Sequence, residues 1–372
     1  MNALGQVSFF ASLILVIVIH EAAHFGVARA FRIKVTEFFV GFGPKIWSTR
    51  RGETEVGFKW IPAGGYVKIA GMNPYERVAP EDLPGTYGAK PRWQRALVIV
   101  AGPATHFVLA FVLFALWLGL VGQPTLRSPV LAEVPRRLDG MASPAFQAGL
   151  RPGDRIVAAG DLPDPSPDEI IAYTQAHAHD AITLTIERDG ERLPVTLTPV
   201  ITQLDGQQVA RIGVVLGEGR RERSGAVGAF VDGAGLIADT TFESVKGIGR
   251  VFGPGGVGRV FDLVFTDAPR EASDPASIFG VGQVAGTIAS GRTGSVWDIV
   301  YLFGLVNVFV GLLNLLPLPP FDGGHLAVLA IEAIRRRDID MRKVIPVSAT
   351  VAAFFILFTL AVVYVDLIKP PV

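Results

Sequence analysis

Four stretches of this chain, about 7–31, 95–121, 296–316 and 344–367, are too long and too apolar to be left in water. Crossing a hydrocarbon layer of about 30 Å takes roughly 20 helical residues, and each run is long enough. The composition agrees. Of 372 residues, 50% are hydrophobic and 18% charged, whereas soluble domains carry about 25% charge. The expected fold class is therefore a polytopic α-helical membrane protein with four transmembrane helices and a soluble portion between the second and third. The N-terminus lacks the basic segment and small-residue cleavage site of a secretory leader, so the first run is read as a retained helix.

Lysine and arginine flanking the runs set the orientation. Lys34, Lys45, Arg50, Arg51, Lys59, Lys68, Arg77, Lys90 and Arg92 lie between the first two runs. Arg335, Arg336, Arg337, Arg342 and Lys343 lie between the last two. Both loops should be cytoplasmic, which leaves the termini and the 122–295 segment outside. Lys+Arg and Asp+Glu balance at 34 each, so nothing in the net charge points to nucleic acid. The chain has no cysteine, and any metal must be held by histidine and carboxylate.

The first run contains His20-Glu21-Ala22-Ala23-His24. Histidines at i and i+4 share one helix face about 6 Å apart, so both imidazoles can reach one ion. Glu21 lies between them, where water activated at such an ion would need a base. Ionisable side chains cost about 2.5–3.5 kcal/mol each at the centre of a membrane helix. The plainer reading, a water-facing helix with solvated polar residues, lacks any further polar face on this run.

Between 35 and 70, Phe38, Val40, Phe42 and then Val56, Phe58, Trp60 alternate with smaller or polar residues, the period-two sign of strands. Residues 49–53 make a plausible turn between them, and Gly64-Gly65 marks a kink or close backbone approach. The faces are unusually apolar for a cytoplasmic hairpin and suit the membrane interface. In the second run, Gly102-Pro103 allows close packing or a kink, and His106 is read as an interhelical polar contact ahead of a metal ligand. Residues 144–157 read as a short helix, a glycine turn and a strand; Ile182–Arg188 and Leu193–Thr198 alternate as strands about Asp189-Gly190. Residues 217–295 read as a glycine-rich linker with amphipathic helices such as Ala226–Phe252, broken at 253–256. The third run ends in Asn314-Leu315-Leu316-Pro317-Leu318-Pro319-Pro320-Phe321-Asp322-Gly323-Gly324-His325. Three prolines forbid a continuous helix, and unwound backbone at membrane depth survives only inside protein or beside a wet cavity.

Depth connects the two ends of the chain. His20 is 13 residues past Val7, about 20 Å into the bilayer from outside; Asp322 lies just past the cytoplasmic end of the third run. His20, His24 and Asp322 then form a three-ligand set with an open fourth position, as at a catalytic zinc. His325 competes with Asp322 as third ligand, but Asp322 directly follows the irregular segment, and Gly323-Gly324 allow the close backbone approach a crowded site needs.

These motifs together resemble the site-2 protease family of intramembrane zinc metalloproteases, in its bacterial branch with one PDZ domain. HExxH in the first helix, Asn-x-x-Pro-x-Pro-x-x-Asp-Gly in the third, and a PDZ-like module between the second and third carry the resemblance over nearly the whole chain. It implies Zn2+ as cofactor, His20, His24 and Asp322 as its ligands, and Glu21 as general base. It implies a substrate-handling loop at Asn314, Pro317 and Pro319, a substrate-presenting β element that includes Gly64 and Gly65, and a peptide-binding PDZ turn at Gly149, Leu150, Gly153 and Asp154. The corresponding domains are a first helix at 1–34, a β region at 35–94, a second helix at 95–121, a PDZ domain at 122–216, a linker at 217–295, the third helix with its broken segment and cytoplasmic loop at 296–343, and the fourth helix at 344–372. Two departures stand out. The usual Leu-Asp-Gly reads Phe321-Asp322-Gly323, and His106 replaces the Asn of a common Gly-Pro-x-x-Asn-Phe stretch. The implied activity is regulated intramembrane proteolysis in the inner (cytoplasmic) membrane. Single-pass proteins, including anti-sigma factors and signal-peptide remnants, are cut after a first protease trims them outside. Alternatives are a catalytically inert PDZ scaffold, which the full set of catalytic residue types argues against, and a metal transporter, which would need polar residues along several helices.

Overall fold

The computed structural model describes residues 3–124, 127–204, 207–217, 219, 221–271, 274–289 and 297–369. It divides into a compact unit of Leu118–Gly228 and a second unit formed by the rest of the chain. The second unit is built from helices α1 (Ala3–Ala30), α2 (Arg92–Leu120) and α10 (Val344–Ile368), with α5 (Ala226–Phe252), α6 (Pro254–Phe265), α7 (Ile278–Ala289), α8 (Asp298–Asn314) and α9 (Asp322–Arg335) between the last two of these. Three helices, Phe9–Ala30, Arg92–Leu120 and Met341–Ile368, are long and apolar enough to cross a membrane. The chain is thus a membrane protein of mixed helix and sheet. The third apolar run differs from the expected full span. Its helix covers Asp298–Asn314, 17 residues, or about 25 Å, and positions 290–296 lie outside the described residues. It tightens at its end, where Leu316 N donates to Leu313, and Pro317 has no backbone donor to continue it.

Two strands, β1 (Val35–Arg51) and β2 (Thr54–Ile69), form an antiparallel pair that is not a simple hairpin. Each is bent double. Phe38, Phe39 and Val40 pair with Val67, Tyr66 and Gly65 on one side and with Val56, Gly57 and Phe58 on the other. The far half of β1, Trp47–Arg51, covers the outer edge of Thr54–Phe58. Four segments therefore lie side by side, and Gly65–Ile69 forms an edge with no further strand partner among the described residues. The bends fall where only glycine fits: Gly41 and Gly43 have φ of +91° and +84°, and a Cβ on Gly41 would lie 2.8 Å from the Lys59 carbonyl. Phe42, Ile46, Trp47, Phe58, Trp60 and Ile61 are all exposed.

The amphipathic helix expected over Ala226–Phe252 forms as α5, and the expected break at 253–256 is a corner at Gly253 and Pro254 that leads into α6. A Cβ on Gly256 would meet the Arg250 carbonyl at 2.2 Å, so the corner closes only with glycine. Phe252 packs on Phe355 and Phe358 at ring separations of 4.9 and 5.1 Å, near the middle of α10. Lys369, beyond the end of α10, donates to the carbonyls of Leu263, Thr266 and Ala268 at the end of α6. The corner thus lies deep alongside α10. A buried ion pair joins Arg270 to Asp366 at 2.7 Å, with both side chains at most 5% exposed. Ser277 donates to the same carboxylate through its amide and hydroxyl.

The Leu118–Gly228 unit holds a four-stranded antiparallel sheet in the order 191–197, 182–188, 155–159, 162–163. Leu131, Ile156, Ile170, Ile182, Leu184 and Ile186 fill its core at 2% exposure or less. The helices α3 (Pro144–Gln147) and α4 (Pro167–Ala176) complete it, α4 starting on a Ser166–Glu169 capping box.

The buried pair yields a direct test. Asp366→Ala leaves the Arg270 charge buried and unpaired, which costs about 3–5 kcal/mol. The unfolding midpoint of the detergent-solubilised protein should fall accordingly, and an Arg270→Met/Asp366→Leu double variant should recover much of the loss.

Candidate metal centre

The HExxH turn of α1 places two buried imidazoles on one face, with ring centroids 4.7 Å apart. Nε2 of His20 and Nε2 of His24 are 3.0 Å apart. Asp322, the first residue of α9, brings Oδ2 to 3.3 Å from each. Among the described residues this is the one group of three histidine, aspartate or glutamate side chains whose donor atoms converge in this way. Ligand atoms held tetrahedrally at 2.0–2.2 Å from a zinc ion lie about 3.3 Å from one another, so the triangle has the size that ion requires. His24 Nδ1 lies 2.7 Å from the Val98 carbonyl. A carbonyl only accepts, so Nδ1 carries the proton and Nε2 faces the triangle with its lone pair.

Backbone approach makes the triangle possible. A Cβ on Gly102 of α2 would lie 2.2 Å from His24 Nε2 and 2.6 Å from His20 Cε1. Pro103 follows within the helix, where its missing N–H leaves the Ile99 carbonyl without its usual helical donor. On the other side, residues 315–319 fold back onto the start of α9. Cβ atoms on Gly323 and Gly324 would meet the Leu315 carbonyl at 2.2 Å and Pro319 N at 2.3 Å. Asp322 is therefore aimed by the loop that carries Asn314, Pro317 and Pro319, and it sits at a helix N-terminus, where unpaired N–H groups favour a carboxylate.

Glu21 is next to the triangle in sequence and partly buried. A Cβ on Gly65 would come within 3.3 Å of Glu21 Cγ and 3.4 Å of Ile17, so the edge segment of β2 crosses the HExxH turn. Gly64, at φ +144°, turns the chain beneath the Phe42 ring. His325 does not join the triangle. It lines a cavity of about 190 Å³ with Tyr87, Arg95 and Glu332.

The residues of the expected PDZ turn are paired within the Leu118–Gly228 unit. The amides of Gly149, Leu150, Gly153 and Asp154 donate to Phe146, Ala145, Leu131 and Arg151, so none is left for a ligand. Leu150 is in the core at 2% exposure. Asp154 receives the Arg188 guanidinium through two bonds of 2.6 Å; burial opposes its charge, but Arg188 and the Arg151 amide hold its carboxyl below the usual range. These four residues build a corner of the unit.

Sequence reasoning read Gly102 only as a position of close packing or a kink, without its place beside the two imidazoles, and missed Asn307. Gly102-Pro103 in the middle of an apolar run was the available signal for the first, since glycine there permits close approach. Asn307, buried at 1%, is a polar residue inside a membrane run, itself a mark of function.

Residues 8–359 match Peptidase family M50. The chain belongs to that family, the site-2 proteases, and is a zinc metalloprotease. It is 30% identical to the zinc metalloprotease Rip1 of Mycobacterium tuberculosis, over 98% of both chains. It is also 30% identical to Rip1 of Mycolicibacterium smegmatis, over 100% of this chain and 98% of that one. The metalloprotease MmpA of Caulobacter vibrioides is 30% identical over 90% of this chain and 87% of its own.

Gly102→Ala should push a methyl into both imidazoles. We expect zinc retention to fall and cleavage to drop by about 10²-fold or more, since a misplacement near 1 Å costs that much. Metal content and turnover of the purified variant check this.

Proposed function

We propose that the protein is an intramembrane endopeptidase that cuts transmembrane segments of single-pass proteins after a first extracytoplasmic cut by another protease. One observation carries the reading: three donor atoms 3.0–3.3 Å apart, two from a membrane-length helix and one from the start of α9, with the Glu21 carboxylate beside them. His20, His24 and Asp322 would hold zinc. When bound, zinc polarises the peptide carbonyl and makes water a nucleophile near neutral pH. Glu21 accepts the proton of the attacking water at a carboxylate oxygen and delivers it to the leaving nitrogen as the C–N bond breaks.

A transmembrane helix hides its peptide bonds in its own hydrogen bonds, so it must be unwound before hydrolysis. Gly65–Ile69 supports this reading, because it is a sheet edge that crosses the Glu21 turn and suits backbone pairing with an extended substrate. The Asn314–Pro319 loop forms the second wall. In this reading α8 and that loop together complete a fourth crossing. The 122–216 region is a PDZ domain on the extracytoplasmic side, and the active site lies toward the cytoplasmic face of the inner membrane. Anti-sigma-factor-like proteins and signal-peptide remnants are the expected substrate class.

Two measurements test this. Glu21→Gln should keep zinc and lose about 10²–10⁴-fold in cleavage, the usual contribution of a proton-transferring group. Asp322→Asn should lose zinc and most activity, whereas His325→Ala should lose at most about 10–100-fold. Zinc content and cleavage of a reconstituted single-pass substrate decide; full activity with Gln at 21, or zinc loss in the His325 variant with none at Asp322, overturns the assignment. The soluble unit is expected to act as a size gate. Deleting 126–200 should admit substrates whose outer domain is untrimmed, and a general loss of cleavage would instead mark a recruiting role.

A further inference from the structure

His106 and Asn307 touch neither Glu21 nor Asp322 in any contact described above, yet both are almost fully buried, at 2% and 1% exposure. They stand in one line with a zinc ligand. Asn307 Nδ2 donates to the Phe303 carbonyl at 2.8 Å. That bond turns the amide oxygen the other way, and Asn307 Oδ1 lies 3.2 Å from His106 Nδ1. An amide oxygen only accepts, so His106 Nδ1 carries a proton. In neutral His106 the far nitrogen, Nε2, is then an acceptor, and it lies 3.1 Å from His20 Nδ1. His20 Nδ1 must therefore donate, which leaves His20 Nε2 as a bare lone pair in the triangle with His24 and Asp322. The direction of every proton follows from one helix carbonyl.

We propose that His106 and Asn307 are positioning residues that fix the tautomer and ring plane of His20. The inference rests on His20 being a metal ligand. His24 reaches the same state directly, through the Val98 carbonyl. No backbone acceptor serves His20 Nδ1 among the described contacts, and a two-residue relay replaces it. Geometry separates this role from direct ligation, since His106 meets the Nδ1 side of the His20 ring and the triangle lies on its Nε2 side. Helix packing sets the relay's length. Gly304, Asn307 and Gly311 are buried on α8. A Cβ on Gly311 would lie 3.0 Å from His106 Cβ, and one on Gly304 would enter the Phe114 ring at 2.2 Å, so the glycines let α8 approach α2 closely enough for the bonds to form.

The test uses the full-length protein in detergent. Zinc affinity is read by chelator competition, and the ligand field by cobalt(II) absorption after exchange. His106→Leu should weaken zinc by about 10–100-fold, the range for outer-sphere partners, with tetrahedral cobalt bands shifted but not lost. Asn307→Leu should do the same, and the double variant should be little worse than either single, because the two act as one unit. His106→Gln, which keeps one acceptor and one donor, should recover most of the affinity. Zinc affinity within 3-fold of wild type in a folded His106→Leu protein, or strictly additive losses, would overturn the relay. Loss of the tetrahedral bands, as in a ligand deletion, would overturn it in favour of direct coordination. His20→Ala serves as the reference: if it retains zinc, the ligand assignment beneath the proposal is what fails.

Discussion

Two imidazole nitrogens and a carboxylate oxygen held 3.0–3.3 Å apart repel one another unless a cation lies between them, and low-dielectric surroundings sharpen that repulsion. Much of the membrane unit is arranged around this fact. Gly102 removes a side chain that would collide with both rings. The Gly323-Gly324 pair lets an irregular loop press onto the start of α9, so that Asp322 enters at a helix N-terminus. The Val98 carbonyl and the His106–Asn307 line hold the outward nitrogens protonated. Each feature lowers the cost of presenting lone pairs to one point, the pre-organisation that a metal site needs from its surroundings.

Around that point the protein supplies irregular backbone in two forms. One is the proline-broken segment after α8, the other the doubly bent sheet of β1 and β2. A regular helix would offer nothing beside Glu21, because its backbone groups are already paired. The bends at Gly41, Gly43 and Gly64 bring an edge segment across the HExxH turn instead. The exposed face of Trp47, Phe58 and Trp60 is rich in rings of the kind that gather at membrane–water interfaces.

The α5–α6 segment answers a different demand. Its corner lies along the middle of α10, and Phe355 touches both Phe252 and Phe321, the residue before Asp322, at 4.9 Å. Buried charge anchors its far end. Arg270 and Asp366 are worth keeping together mainly because separating them leaves a desolvated ion. Lys369 satisfies carbonyls at the end of α6 that the helix itself leaves open.

How much of this was legible beforehand follows the range of the interactions. His20, Glu21 and His24 were readable because four residues on one helix set their geometry, and Asp322 because proline and glycine declare irregular backbone locally. The membrane helices were readable from composition, and the strands at 182–198 from alternation. Other features depend on partners distant in the chain. Nothing near Gly102 says that two imidazoles from α1 will occupy the space of its missing Cβ. Nothing near His106 says that Asn307, 201 positions away, will orient its ring. Nothing near the glycine turn at 149–154 says that Gly153 will donate to the Leu131 carbonyl. The sequence by itself determined the chemistry, a zinc site on a membrane helix, since short spacings and residue types suffice for that. Only the tertiary structure decided which nitrogen of each histidine faces the metal, which sheet edge crosses Glu21 and how deep the α5–α6 corner lies, because each depends on helices and strands meeting across a long loop.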